Sequence, residues 1–183
     1  MKKTLMIFAA IVMMAGFSTT VVAQDTEATA TTDAGAQLIV PMTLTQTSPL
    51  HFGTITLTDA LGGTVELSTA NARTFTGGVS TSAVSPTSTN AAYDVTGTYN
   101  ETYALTLPGT IEVLETVGST ATMTISDLTV LFTGGAEKTG VSATSLLSAT
   151  GTDAFTVGGT LTIAEAQIGG IYEGTFPVSV DYN

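Results

Sequence analysis

Acid–base chemistry in this chain would have to start from one histidine, His51. A histidine acting as general base needs a carboxylate to orient it and a nucleophile to activate. The neighbours Leu50, Phe52 and Gly53 supply neither, so His51 is expected as a rim residue at the start of a strand. With one histidine and no cysteine, histidine-cluster and thiolate metal sites are excluded, and so are disulfides. Glu112 and Glu115 form a candidate carboxylate pair of the type that glycosidases use. As the closest acidic pair in sequence they are expected on solvent faces instead. Gly-Gly pairs begin at 62, 77, 134, 158 and 169, but none has the Lys and following helix of a phosphate cradle. They read as turns or bulges. No Gly-x-Ser-x-Gly elbow and no EF-hand spacing of acids occurs. Asn100-Glu101-Thr102 fits a glycosylation acceptor only by its three-residue pattern. The expectation is a protein that is not an enzyme, with no catalytic residue, cofactor or metal.

The elements that would carry any site are strands. Charged residues are 10% of the chain, well below the usual quarter. Thr is heavily used and Gly numbers 19, a mixture that suits short strands and tight turns. Thr-rich faces would also offer hydroxyls to sugar or ice. The first 23 residues read differently. Lys2 and Lys3 precede an apolar run from Leu5 through Met14, and Val21-Val22-Ala23 resembles a cleavage site, which together predict a secretory signal peptide at 1–23. Cleavage before Gln24 would leave Arg73 and Lys138 against fifteen acids, a formal charge of −13. Such a surface repels nucleic acid and anionic lipid. Residues 24–35, QDTEATATTDAG, lack large apolar side chains and predict a flexible leader. No later run is long and apolar enough to span a bilayer, so no integral membrane segment is expected after cleavage.

From residue 36 the chain reads as one domain of strands and turns. Ala36, Leu38, Val40, Met42 and Leu44 alternate with polar residues, Ile39 and Pro41, which predicts a strand over 36–45 with one apolar face. Pro41 cannot donate to a ladder and favours an edge. This strand either begins the domain's own sheet or is a donor that fills a neighbour's groove by strand addition. Further strands are expected at 52–57, 64–68, 74–80, 92–96, 102–107, 111–114 and 121–132, the last with a bulge at Asp127-Leu128. Residues 81–90 and 134–151 read as loops, with a helical turn at 143–147 as the alternative within the second. Phe155 and Val157 before Gly158-Gly159, with Leu161 and Ile163 after it, resemble a hairpin. The final strand alternates strictly: Phe176, Val178, Val180 and Tyr182 share one face. Tyr103, Leu105, Leu107, Phe155, Val157, Phe176, Val178 and Val180 are expected to point inward together.

Several segments carry a resemblance: Leu50-His51-Phe52-Gly53-Thr54-Ile55, Val95-Thr96-Gly97, Tyr103 to Pro108, Phe155 to Leu161 and, most specifically, Gly170 to Asn183. They resemble a family of uncharacterised secreted bacterial domains, similar in style to pilin and spore-coat subunits. The resemblance implies an all-β fold, an immunoglobulin-like antiparallel sandwich of Greek-key style with little or no helix, and transfers no catalytic residue. Chaperone–usher pilins are more loosely similar. They commonly carry a disulfide near the N-terminus, which this chain lacks, and end near a penultimate aromatic, as Tyr182 does here. The function expected is a secreted structural or adhesive protein of the periplasm or cell surface, such as a pilin-like fimbrial subunit. It would pair with identical or related subunits by strand addition, through Leu38, Val40, Met42 and Leu44 of one copy and Phe176, Val178, Val180 and Tyr182 of another. The alternative is a monomeric module that binds a glycan or other ligand.

Overall fold

The structure, a computed structural model, describes residues 27–183. The expected signal peptide at 1–23 and the first leader residues lie outside the described residues. The chain divides into two units, Met1–Gln37 and Leu38–Asn183. In the first, residues 27–37 are exposed and carry no regular secondary structure.

The second unit is all-β, and every strand pairing is antiparallel. Its strands are β1 (Thr43–Ser48), β2 (Ile55–Leu57), β3 (Gly63–Leu67), β4 (Arg73–Gly77), β5 (Val79–Thr81), β6 (Ala91–Thr96) and β7 (Thr102–Thr106). Then follow β8 (Ile111–Glu115), β9 (Thr122–Phe132), β10 (Lys138–Thr139), β11 (Ser142–Leu146), β12 (Thr152–Ile163), β13 (Tyr172–Glu173) and β14 (Ser179–Tyr182). A large sheet runs β1-β6-β12-β9-β8-β13, with β10 added to β9, β3 to β12 and β4 to β3. A three-stranded sheet runs β11-β7-β14, and β2 pairs β5.

Period-two patterning decides which side chains meet. Tyr93 and Val95 of β6, Phe155 and Val157 of β12, and Val130 and Phe132 of β9 are buried, as are Tyr103 and Leu105 of β7. Tyr93 stacks on Phe155 at 5.0 Å between ring centroids, Phe155 meets Phe132 at 5.6 Å, and Phe132 meets Tyr103 edge-on at 6.0 Å. The last contact joins the large sheet to the three-stranded one. Aromatic pairs in this range add about 0.5–1.5 kcal/mol each beyond the area they bury. The outward face is hydroxyl-rich: Thr43 bonds Thr96 and Thr64 bonds Thr76 across neighbouring strands, both at 2.6 Å. The bulge forms where expected. Asp127 has φ of 50°, and the β9–β12 register slips between Gly158 and Thr160.

Four expectations are corrected. The segment 158–159 is not a hairpin turn but the middle of β12, a continuous twelve-residue strand. Residues 152–157 pair with β6 and 159–163 with β3, so the glycine pair marks the point where β12 changes neighbour. A Cβ on Gly158 would run into the Leu67 carbonyl, and one on Gly159 into Leu128. Close backbone approach, not a reversal, is what these glycines permit. Secondly, residues 134–151 are not all loop, because β11 covers 142–146 and pairs with β7. Its inward set is Ala143, Ser145 and then Leu147, and the polar middle member hides the alternation. Thirdly, the strand expected at 36–45 starts only at Thr43, and that expected at 52–57 only at Ile55. Pro41 has no N–H to give a ladder, which suits the late start. Lastly, regular pairing at the far end covers only Ser179–Tyr182, although Phe176 and Val178 also pack against the core.

Candidate functional site

The residues with chemical potential are held in structural roles. His51 is exposed, bridges Thr89 through its backbone, and accepts the Gly53 N–H on Nδ1 at 2.8 Å. That ring nitrogen locks a turn. Glu112 and Glu115 lie three apart on β8, and an odd spacing on a strand sends them to opposite faces. Glu112 is exposed, whereas Glu115 is buried, against the expectation that both face solvent. The Glu115 carboxylate accepts the Ser119 N–H at 2.8 Å and the Val117 N–H at 2.9 Å. Those bonds, Ser119 first, hold its pKa below the ordinary carboxylate value. It fastens the turn between β8 and β9. Asp153 accepts the Tyr103 hydroxyl at 2.9 Å and the Ser145 hydroxyl at 2.6 Å, which bolts β12 to β7 and β11. Burial, then the Asp153 hydrogen bond and its charge, push the Tyr103 phenol far above its usual value.

Both described cations are also occupied. Arg73 donates to the carbonyls of Phe52 and Thr54 and to the Thr81 hydroxyl, and lies over the Phe75 ring. Lys138 donates to the Thr144 carbonyl and lies over Phe132. Among the described residues no group of His, Asp and Glu is arranged to hold a metal. A surface depression of about 300 Å³ borders Asp59, but the Asp59 Oδ1 is already taken by the Leu61 N–H.

What stands out is an open flank with an edge strand on each side. β1 ends the large sheet and β14 ends the three-stranded sheet. Met42 and Leu44 on one side, and Phe176, Val178, Val180 and Tyr182 on the other, are only partly buried although they pack against the core. The Asn183 N–H bonds the Thr102 carbonyl. Antiparallel ladders alternate, so the backbone groups of Val180 and Tyr182 point away from β7, toward the unpaired edge. Just before β1, Leu38 is 86% exposed, Ile39 50% and Val40 47%. The eight residues expected at a strand-addition interface therefore split. Leu38 and Val40 are uncovered and outside any ladder, Met42 and Leu44 are half-covered at the other sheet's edge, and the remaining four line β14 and its approach.

The two edges meet at one point. The Tyr182 hydroxyl accepts the Thr98 N–H at 2.6 Å and donates to the Val40 carbonyl at 2.8 Å. The Val40 N–H bonds Thr98 Oγ1 at 2.8 Å. Tyr182 is legible in the sequence as an apolar face member, but its hydroxyl partners are 84 and 142 residues away. No local pattern signals them.

Fold and flank together define, over the described residues, an antiparallel all-β domain with two edge strands beside one another. More particularly, the chain belongs to the family described as a domain of unknown function, DUF4402, whose family model matches residues 42–182. No curated protein matches the chain. Among the described residues no helix is long and apolar enough to cross a membrane.

Proposed function

We propose that this protein is an exported structural or adhesive subunit, pilin-like in its assembly, which joins to further copies by strand addition at the flank between β1 and β14. The observation that carries the reading is the pairing of opposites on that flank: an exposed apolar stretch, Leu38-Ile39-Val40, beside an edge strand whose Val180 and Tyr182 backbone groups have no ladder partner among the described residues. An added strand satisfies that backbone and covers the half-exposed side chains, which is how strand addition gains both affinity and register. The occupant is the Leu38–Met42 segment of a second copy. Thr43 to Ser48 is already paired with β6 and remains with its own domain. The signal-like sequence at 1–23 supports export, and the −13 charge expected of the processed chain favours assembly at high ionic strength, where like charges are screened.

The chain has no cysteine, so introduced thiols are unique. Leu38→Cys and Val180→Cys are made separately, mixed and oxidised. A disulfide between the two variants is then necessarily intermolecular. Its formation, together with ladders in analytical ultracentrifugation of the parent chain, is the expected result. A parent that stays monomeric at high concentration and high salt, also after partial unfolding and refolding, overturns the reading. It would instead favour a monomeric ligand-binding module.

A further inference from the structure

Tyr182 occupies both sides of the proposed exchange. It belongs to the edge that receives a strand, and its hydroxyl holds the segment that would be given away. Four contacts close a small ring: Val40 N–H to Thr98 Oγ1, Thr98 N–H to the Tyr182 hydroxyl, that hydroxyl to the Val40 carbonyl, and a 3.3 Å contact between the Tyr182 and Thr98 oxygens. Gly97 makes room for it, because a Cβ there would come within 2.5 Å of the Tyr182 oxygen. Leu38, Ile39 and Val40 are at least 47% exposed and outside any ladder. Anchorage therefore changes abruptly along a few residues, from a ladder at Thr43 to one hydrogen-bonded ring at Val40.

We infer that the Tyr182 hydroxyl, with Thr98, is a latch in cis: it holds Val40 on its own domain and sets how readily the Leu38–Met42 segment is released to a second copy. The gating half of the inference rests on the strand-addition reading. The latching half does not. The ring is small and partly wet, and each of its bonds contributes a modest net free energy. Such a contact restrains a segment without making its release prohibitive.

Tyr182→Phe keeps the ring packing and removes the hydroxyl. Thr98→Val removes the acceptor of the Val40 N–H from the other side and serves as the second variant should the first be poorly folded. Two rates are read on the full chain: nicking by thermolysin, which cuts before Leu38, Ile39 and Val40, and formation of the mixed Leu38→Cys/Val180→Cys disulfide. Each substitution is expected to raise both rates by about threefold to tenfold, the factor that one or two net hydrogen bonds supply, with far-UV circular dichroism unchanged. Nicking at the parental rate in both variants overturns the latch, whatever the assembly does. Faster nicking with an unchanged disulfide rate overturns the gating and leaves strand addition standing. If neither the parent background nor either variant crosslinks, strand addition itself has failed and the gating fails with it, while the nicking rates still decide the latch.

Discussion

The middle of β12 and the flank between β1 and β14 are built from similar residues and differ in what surrounds them. Val157 and Val178 are both valines on an inward face. Val157 is fully buried, with β6 on one side of its strand and β9 on the other. Val178 is only partly buried, one residue before an edge strand whose single neighbour among the described residues is β7. Identical alternation thus produces a closed core in one place and an unfinished one in the other. A second difference lies in the polar groups. At the centre, Asp153 gathers two hydroxyls between the sheets. On the flank, one tyrosine hydroxyl holds a segment that has no ladder of its own. A fold can complete its core and still leave apolar edges, and those edges are where a partner has something to gain.

The largest test of the contrast is a charge in each place. Val157→Asp is expected to cost more than about 4 kcal/mol or to prevent folding, because an unpaired buried carboxylate is among the most expensive single changes. Val178→Asp, which keeps contact with water, should cost about 1–2 kcal/mol in urea unfolding. Equal losses would mean that the flank is as closed as the centre.

Next comes the glycine pair. Gly158→Val places atoms against the Leu67 carbonyl and the Ser68 backbone at the point where β12 changes neighbour. A cost of about 1–3 kcal/mol is expected from this overpacking. Gly169→Ala, at a position with open space around it, should stay within about 0.5 kcal/mol. A neutral Gly158→Val would show that the junction is loose.

Tyr103→Phe should cost about 1–2 kcal/mol, the range for a buried hydroxyl bonded to a carboxylate, and it also has a pH signature. The folded protein holds this phenol neutral, so its contribution is complete below the ordinary tyrosine value of 10.0 and is lost as pH rises above it toward the raised folded value. Alkaline unfolding of the variant should therefore be shallower than that of the parent. Tyr93, raised by burial alone, keeps part of the slope. Identical alkaline profiles would remove the inter-sheet bolt from the comparison.

Glu115→Gln is expected to have the smallest effect. The depressed Glu115 value adds stability above the unfolded carboxylate range, and that stability is lost as pH falls through the folded value. The variant should melt below the parent at neutral pH and converge with it in acid. A thermal-shift series settles this, and a constant gap down to low pH would show that the charge is not what holds the turn.

Period-two alternation, turn glycines and the bulge at Asp127-Leu128 belong to the sequence, because each follows from steric and burial preferences of neighbouring residues. They were enough to indicate an antiparallel all-β domain, to place Tyr103, Leu105, Phe155 and Val157 together in the core, and to mark Phe176 to Tyr182 as half-buried. Tertiary structure decided the rest. Ser145 could be recognised as an inward residue only once Asp153 lay opposite it, so β11 looked like a loop. Gly158-Gly159 reads as a turn until β6 and β3 are both seen against the same strand. Glu115 was assigned to solvent because the two backbone N–H groups that allow its burial come from a turn with no pattern of its own. Leu38 and Val40 share the alternation of Met42 and Leu44, but a ladder needs a neighbour, and β6 begins to supply one only at Thr43. Alternation is local physics. Which edge remains open, and which hydroxyl closes on Val40 from 142 residues away, is settled by the packing of the whole chain.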